Sequence, residues 1–166
     1  MHELCALGLG VLLFFVTASC AVYAQSDSPN RSILKGAAVE YLYPEQVNVP
    51  ASKPTTVTLH FRIAPGMHIN SNKPREDYLI PTTFSIPVES GVRLDAATYP
   101  AGSDLTLPLD PTEKLSVYTA EFSIEARIVA APGDHLVEAR LHYQACDKDA
   151  CMPPKTITVP IDVIGK

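Results

Sequence analysis

Val137-Glu138-Ala139-Arg140-Leu141-His142-Tyr143 decides the fold. Apolar side chains occupy every second position and polar ones sit between them, the period of a strand with one dry face and one wet face. On a helix the same four apolar residues would split onto opposite sides, leaving no buried stripe. Outward from this stretch the rhythm recurs. Val57, Leu59, Phe61 and Ile63 alternate with Thr58, His60 and Arg62, and Phe122, Ile124, Ala126 and Ile128 alternate with Ser123, Glu125 and Arg127. Ile157, Val159, Ile161 and Val163 close the chain in the same way. Weaker strand patterns lie at Val39–Tyr43, Met67–Ile69, Thr82–Ile86, Val92–Ala97 and Leu115–Tyr118. Pro65-Gly66, Ser90-Gly91, Ala101-Gly102 and Pro132-Gly133 supply turns between them. About seven to nine short strands without a convincing helical stripe predict an all-β, antiparallel sandwich with one apolar face per sheet.

Two stretches resist assignment as strands, Asn70–Pro81 and Tyr99–Lys114, both polar and proline-bearing. Loops of that length in a small domain are usually functional or mobile, and both are expected at one end of the sandwich.

The 166-residue chain fits one domain after its N-terminus is set aside. Leu4 to Ala21 is almost wholly apolar or small, and Val22-Tyr23-Ala24 offers the small residues of a cleavage site, so residues 1–24 read as a signal peptide cut after Ala24. Met1-His2-Glu3 lacks the usual Lys or Arg, and three alternatives stay open: a true start upstream, an uncleaved anchor, or a lipoprotein lipidated at Cys20. Residues 25–36 read as a flexible leader, and residues 37–166 as the domain. Cleavage leaves 142 residues with 17 acidic against 13 basic side chains, a net charge of about −4. A mildly acidic domain without a Lys/Arg cluster has no footprint for nucleic acid, and its only expected membrane attachment is an uncleaved signal or a lipid anchor. No Ser/His/Asp set, phosphate loop or paired-carboxylate pattern is present, so hydrolytic and nucleotide chemistry have no support, and no cofactor is expected.

Four cysteines are encoded, but Cys5 and Cys20 belong to the signal, leaving Cys146 and Cys151. An even pair in an exported domain reads as a disulfide. A domain this size builds a sufficient core without a staple, and the four-residue loop between the sulfurs gains little from closure, so the pair points to redox exchange. With Asp147 and Asp149 beside Lys148, and no helix N-terminus at hand, strongly depressed thiol pKa values are not expected, and exchange should depend on docking. Two other readings remain beside it. One is a static bridge in a non-enzymatic binding module. The other is Cu(I) binding by the two thiolates with Met152, Met67 and His68, although zinc-type ligand spacing is absent.

Tyr143-Gln144-Ala145-Cys146-Asp147-Lys148-Asp149-Ala150-Cys151-Met152-Pro153-Pro154 resembles the active-site segment of the periplasmic N-terminal (alpha) domain of thiol:disulfide interchange proteins of the DsbD type. Gly66-Met67-His68-Ile69-Asn70-Ser71-Asn72-Lys73-Pro74, Tyr78-Leu79-Ile80-Pro81-Thr82 and Leu115-Ser116-Val117-Tyr118 are similar to the same domains, and the likeness runs from about Val39 to Val163. The resemblance implies an immunoglobulin-like sandwich that carries electrons as a dithiol to thioredoxin-fold proteins of the periplasm, in the service of processes such as cytochrome c biogenesis. Carried over by position, Cys151 would form the mixed disulfide and Cys146 would resolve it, which makes the domain a component of a protein-disulfide reductase. A cap loop would fall within Ala101–Lys114, and His68, Asn70, Tyr143, Met152 and Pro153 would line the site. Because Lys166 ends the sandwich, a separate membrane reductant is expected.

Overall fold

Alternation along Thr55–Ile63, Glu121–Ala130, Gly133–Tyr143 and Lys155–Gly165 is realised as four long strands, each with one buried face. The computed structural model describes residues 37–42, 46–107 and 110–166. The expected signal peptide (1–24) and leader (25–36) lie outside them, with Cys5, Cys20 and Tyr43.

Three four-stranded sheets are formed by the described residues. The first runs β1 (Val39–Tyr41), β3 (Thr55–Ile63), β9 (Glu121–Ala130), β6 (Val92–Thr98). The second runs β2 (Gln46–Val49), β12 (Lys155–Gly165), β10 (Gly133–Tyr143), β5 (Thr83–Ser85). A smaller third sheet runs β11 (Ala145–Cys146), β4 (His68–Asn70), β8 (Asp110–Tyr118), β7 (Ser103–Leu107). The fold is an all-β sandwich, as the alternation predicts, and an immunoglobulin-like one, as the resemblance implies. No helix among the described residues is long and apolar enough to cross a membrane.

Register explains why the core is dry. Leu59 opposes Ile124 and Phe61 opposes Phe122 in the first sheet, while Val137 opposes Ile161 and Ala139 opposes Val159 in the second. These residues join one buried cluster with Leu141, Tyr143 and Val163. Phe61 stacks on Phe122 with ring centroids 5.1 Å apart, and Phe122 on Tyr118 at 4.9 Å, which couples the core to the third sheet. Each large side chain so buried contributes about 1.5–3 kcal/mol.

The structure differs from the pattern reading in three places. Tyr99–Lys114, expected as a loop, contains β7 and the start of β8, paired from Ser103–Val117 to Leu107–Asp110. Its alternation of Leu105 and Leu107 with Asp104 and Thr106 is obscured in the sequence by the flanking Pro100, Pro108 and Pro111. β2 carries too few residues to register as periodic, and it pairs with β12 in parallel. β11 is two residues long and exists only because β4 lies beside it.

Candidate functional site

The cysteines sit in the connection between β10 and β12. That ladder runs unbroken from Gly133–Gly165 to Tyr143–Lys155, so the chain that leaves Tyr143 must return to Lys155 beside it. Within the excursion Cys146 and Cys151 face each other as an antiparallel bridge. Asp147 donates its amide to the Ala150 carbonyl (3.0 Å) and Met152 donates to Ala145 (2.8 Å), bracketing the pair. This pattern marks a non-hydrogen-bonded position, where opposed side chains come closest. The Cα atoms are 3.9 Å apart and the sulfurs are joined, S–S 2.00 Å.

The four-residue loop is shaped by Asp147. Its Oδ1 accepts the amides of Asp149 and Ala150, both at 2.8 Å, in an Asx-turn. Those two donors hold the Asp147 carboxyl below its usual range, with a smaller pull from Lys148 and His68 against a small desolvation penalty. Lys148 and Asp149 pair at the exposed tip.

The two sulfurs see different surroundings. Cys146 is 2% exposed, whereas Cys151 lies on the exposed arm with Met152, Pro153 and Pro154. β4 seals the buried side, with Cys146 opposite His68 and Ala145 opposite Ile69. Pro65-Gly66 delivers β4 through a tight turn in which Met67 donates to the Ala64 carbonyl (3.1 Å). Gly66 takes φ 78°, the positive value that the third residue of a type II turn requires.

Asn70 ties β4 to the cysteine loop. Its Nδ2 donates to Ile80 O (3.1 Å) and Gln144 Oε1 (3.3 Å), and Gln144 Nε2 donates to Met152 O (3.2 Å). Thr82 Oγ1 donates to Asn70 O at 2.6 Å, and the Thr82 amide to Ser71 O at 3.1 Å, closing the base of the Asn70–Pro81 loop. Ser71 and Ser116 hydroxyls meet at 2.8 Å, and the Tyr118 hydroxyl donates to Asn72 Oδ1 at 2.8 Å. Arg75 pairs with Asp104, and Tyr78 donates to Glu113. The loop and the β7–β8 hairpin are therefore neighbours, as expected of the two long stretches.

His68 is 5% exposed, and its imidazole is held below its ordinary range by desolvation, with Asp147 pulling upward. Burial raises the Tyr143 hydroxyl, opposed by the Val39 backbone amide. Beside the cysteine loop lies a groove of about 730 Å³, bordered by Met67 and His68, by Leu105 and Thr106 of β7, and by Lys148. A smaller cavity of about 480 Å³, near Tyr41, His60 and Phe61, contains no residue of the cysteine loop.

Of the residues predicted from sequence, His68, Asn70 and Met152 meet the cysteine loop through pairing or hydrogen bonds. Pro153 is on the exposed arm, and Tyr143 packs in the core at the end of β10. Sequence reasoning missed Gln144, Thr82 and the turn-forming role of Asp147. An Asp two residues before the amide it caps is a readable turn signal, whereas Gln144 and Thr82 act only through partners distant in the chain. Among the described residues no group of three or more His, Cys, Asp or Glu is placed to hold a metal ion.

The family described as "Thiol:disulfide interchange protein DsbD, N-terminal" matches residues 38–162, three quarters of the chain. The chain belongs to this DsbD N-terminal family. Two solved structures from Neisseria meningitidis are similar to it. The DsbD N-terminal domain in the reduced form is 20% identical with a TM-score of 0.47, over 69% of this chain and 82% of that one. The complex between the DsbD N-terminal and PilB N-terminal domains is 20% identical with a TM-score of 0.45, over 66% of this chain and 77% of the other. No curated protein matches the sequence. Within this DsbD N-terminal domain, the Cys146–Cys151 bridge joins a buried residue to one on an exposed arm.

Proposed function

We propose that this domain exchanges dithiol for disulfide with exported partner proteins through Cys146 and Cys151. The observation that carries the reading is the asymmetry of the bridge: one sulfur belongs to an exposed arm and the other is sealed under β4. Family membership supports interchange as the chemistry. In the reduced form the Cys151 thiolate attacks a partner disulfide and joins one partner sulfur, and the other partner sulfur leaves as thiolate. Cys146 thiolate then attacks Cys151 Sγ, restores the intramolecular bridge and releases the second partner thiolate. The partner gains two electrons and the domain loses two. A separate membrane reductant resets the pair.

Thioredoxin-fold proteins are the proposed acceptors, since an interchange domain needs partners that carry an accessible disulfide. A periplasmic or otherwise exported location follows from the same reading, with residues 1–24 as the signal, 25–36 as the leader and 37–166 as the working domain. Trapping tests it. Cys146→Ser should accumulate mixed disulfides through Cys151 with thioredoxin-fold proteins of the exported compartment, and Cys151→Ser should accumulate far fewer. Absence of any adduct, with a bridge potential below about −300 mV, would mark a structural disulfide and defeat the proposal.

A further inference from the structure

His68 has no task in that scheme, yet its position is unusual. Nε2 is buried without a hydrogen-bond partner among the described residues, although an unpartnered buried ring nitrogen is costly. Its residue lies directly cross-strand from Cys146. That register puts both side chains on one face of the sheet with Cβ atoms about 4.5–5.5 Å apart.

Cys146 has the complementary difficulty. Burial disfavours its thiolate, and only the thiolate can attack the mixed disulfide. In the disulfide form this sulfur carries no proton, so a nitrogen meant to receive that proton is left without one.

We propose that His68 Nε2 accepts the Cys146 thiol proton as the mixed disulfide is resolved. The inference rests on the exchange reading above. In the step, the S–H bond of Cys146 breaks and its proton passes to Nε2. The sulfur lone pair forms the bond to Cys151 Sγ, and the electron pair of the Cys151–partner bond leaves on the partner sulfur. His68 then returns its proton to water or to the departing thiolate through the adjacent groove, which it borders. A neutral imidazole is needed, and burial favours that form. Asp147 acts on this ring, and other charged groups border its groove. Asp147 comes from the cysteine loop, and Lys148 of the same loop, Arg62 of β3 and Glu121 of β9 border the same groove. Asp147 stabilises the imidazolium that forms after transfer.

Stopped-flow reaction of the reduced domain with equimolar 5,5′-dithiobis(2-nitrobenzoate) separates the two steps. Attack by Cys151 releases the first thionitrobenzoate, and resolution by Cys146 releases the second. Across about pH 5 to 8, the second release should slow in acid with an inflection below the ordinary histidine value. In His68→Gln that inflection should vanish, and the ratio of second to first release rates at pH 7 should fall about tenfold or more. Asp147→Asn keeps the turn-forming oxygen but not the charge, and should move the inflection to lower pH. A His68→Gln protein with an unchanged ratio and profile overturns the role of His68 alone. Should that variant not fold, an unmoved inflection in Asp147→Asn overturns it. If wild-type protein gives no first release, the exchange reading fails and this role fails with it.

Discussion

The β10–β12 ladder and the β11–β4 pairing are joined by one short peptide yet are built on opposite principles. The ladder is eleven residues long on each strand, and its inward face is Val137, Ala139, Leu141, Tyr143 against Ile157, Val159, Ile161 and Val163. The β11–β4 pairing matches two residues with two, and around it cluster the buried polar side chains His68, Asn70, Ser71 and Thr82. Apolar burial is additive and tolerant, so the ladder can supply stability. A buried polar network must be satisfied group by group, so it fixes positions and punishes error. The difference teaches that the scaffold holds the cysteine loop in place while the small sheet determines what surrounds Cys146.

The largest effect should come from breaking the scaffold. Phe61 is fully buried and stacked on Phe122, and Phe61→Ala should cost about 3–5 kcal/mol in urea denaturation with an unchanged slope. Opening the bridge should cost less. Reduction, or a double Cys146→Ala and Cys151→Ala variant, should lower stability by about 2 kcal/mol, because the closed loop is short. A loss as large as that of Phe61→Ala would mean the bridge is a structural staple, and the contrast between the two regions would dissolve.

Smaller again is the polar network. Thr82→Val removes the donor to Asn70 O at nearly constant volume and should cost about 1 kcal/mol. It should also raise amide exchange in Gln144–Met152 before it does so in β10, which would sharpen the distinction between the two sheets.

A pH-dependent difference should be smaller than these. The His68 imidazole titrates below its ordinary value because burial disfavours its charge. From about pH 6.5 downward the unfolded chain therefore binds a proton that the folded chain resists, and folding stability falls as pH falls through that window. His68→Gln should flatten this slope, measured as denaturation midpoints across the range. Least of all, Arg75→Ala should leave the midpoint unchanged, since its pair with Asp104 is exposed, but should let the Asp104 carboxyl titrate closer to its ordinary value.

Much was legible in the chain itself. Period-two alternation in Val57–Ile63, Phe122–Ile128 and Val137–Tyr143 determined an all-β sandwich, because a side-chain period of two leaves only one face to bury. Pro65-Gly66 announced its turn, because a positive φ selects glycine. The spacing of Cys146 and Cys151 beside Pro153-Pro154 announced a bridged loop. Tertiary structure alone decided that His68 lies against Cys146, 78 positions away in sequence, and that Gln144 joins Asn70 to Met152. It alone turned the proline-bearing 103–118 segment into a hairpin beside the loop. Local propensity cannot report such contacts, because a two-residue strand or a single side-chain bridge gains nothing until the partner strand is in place.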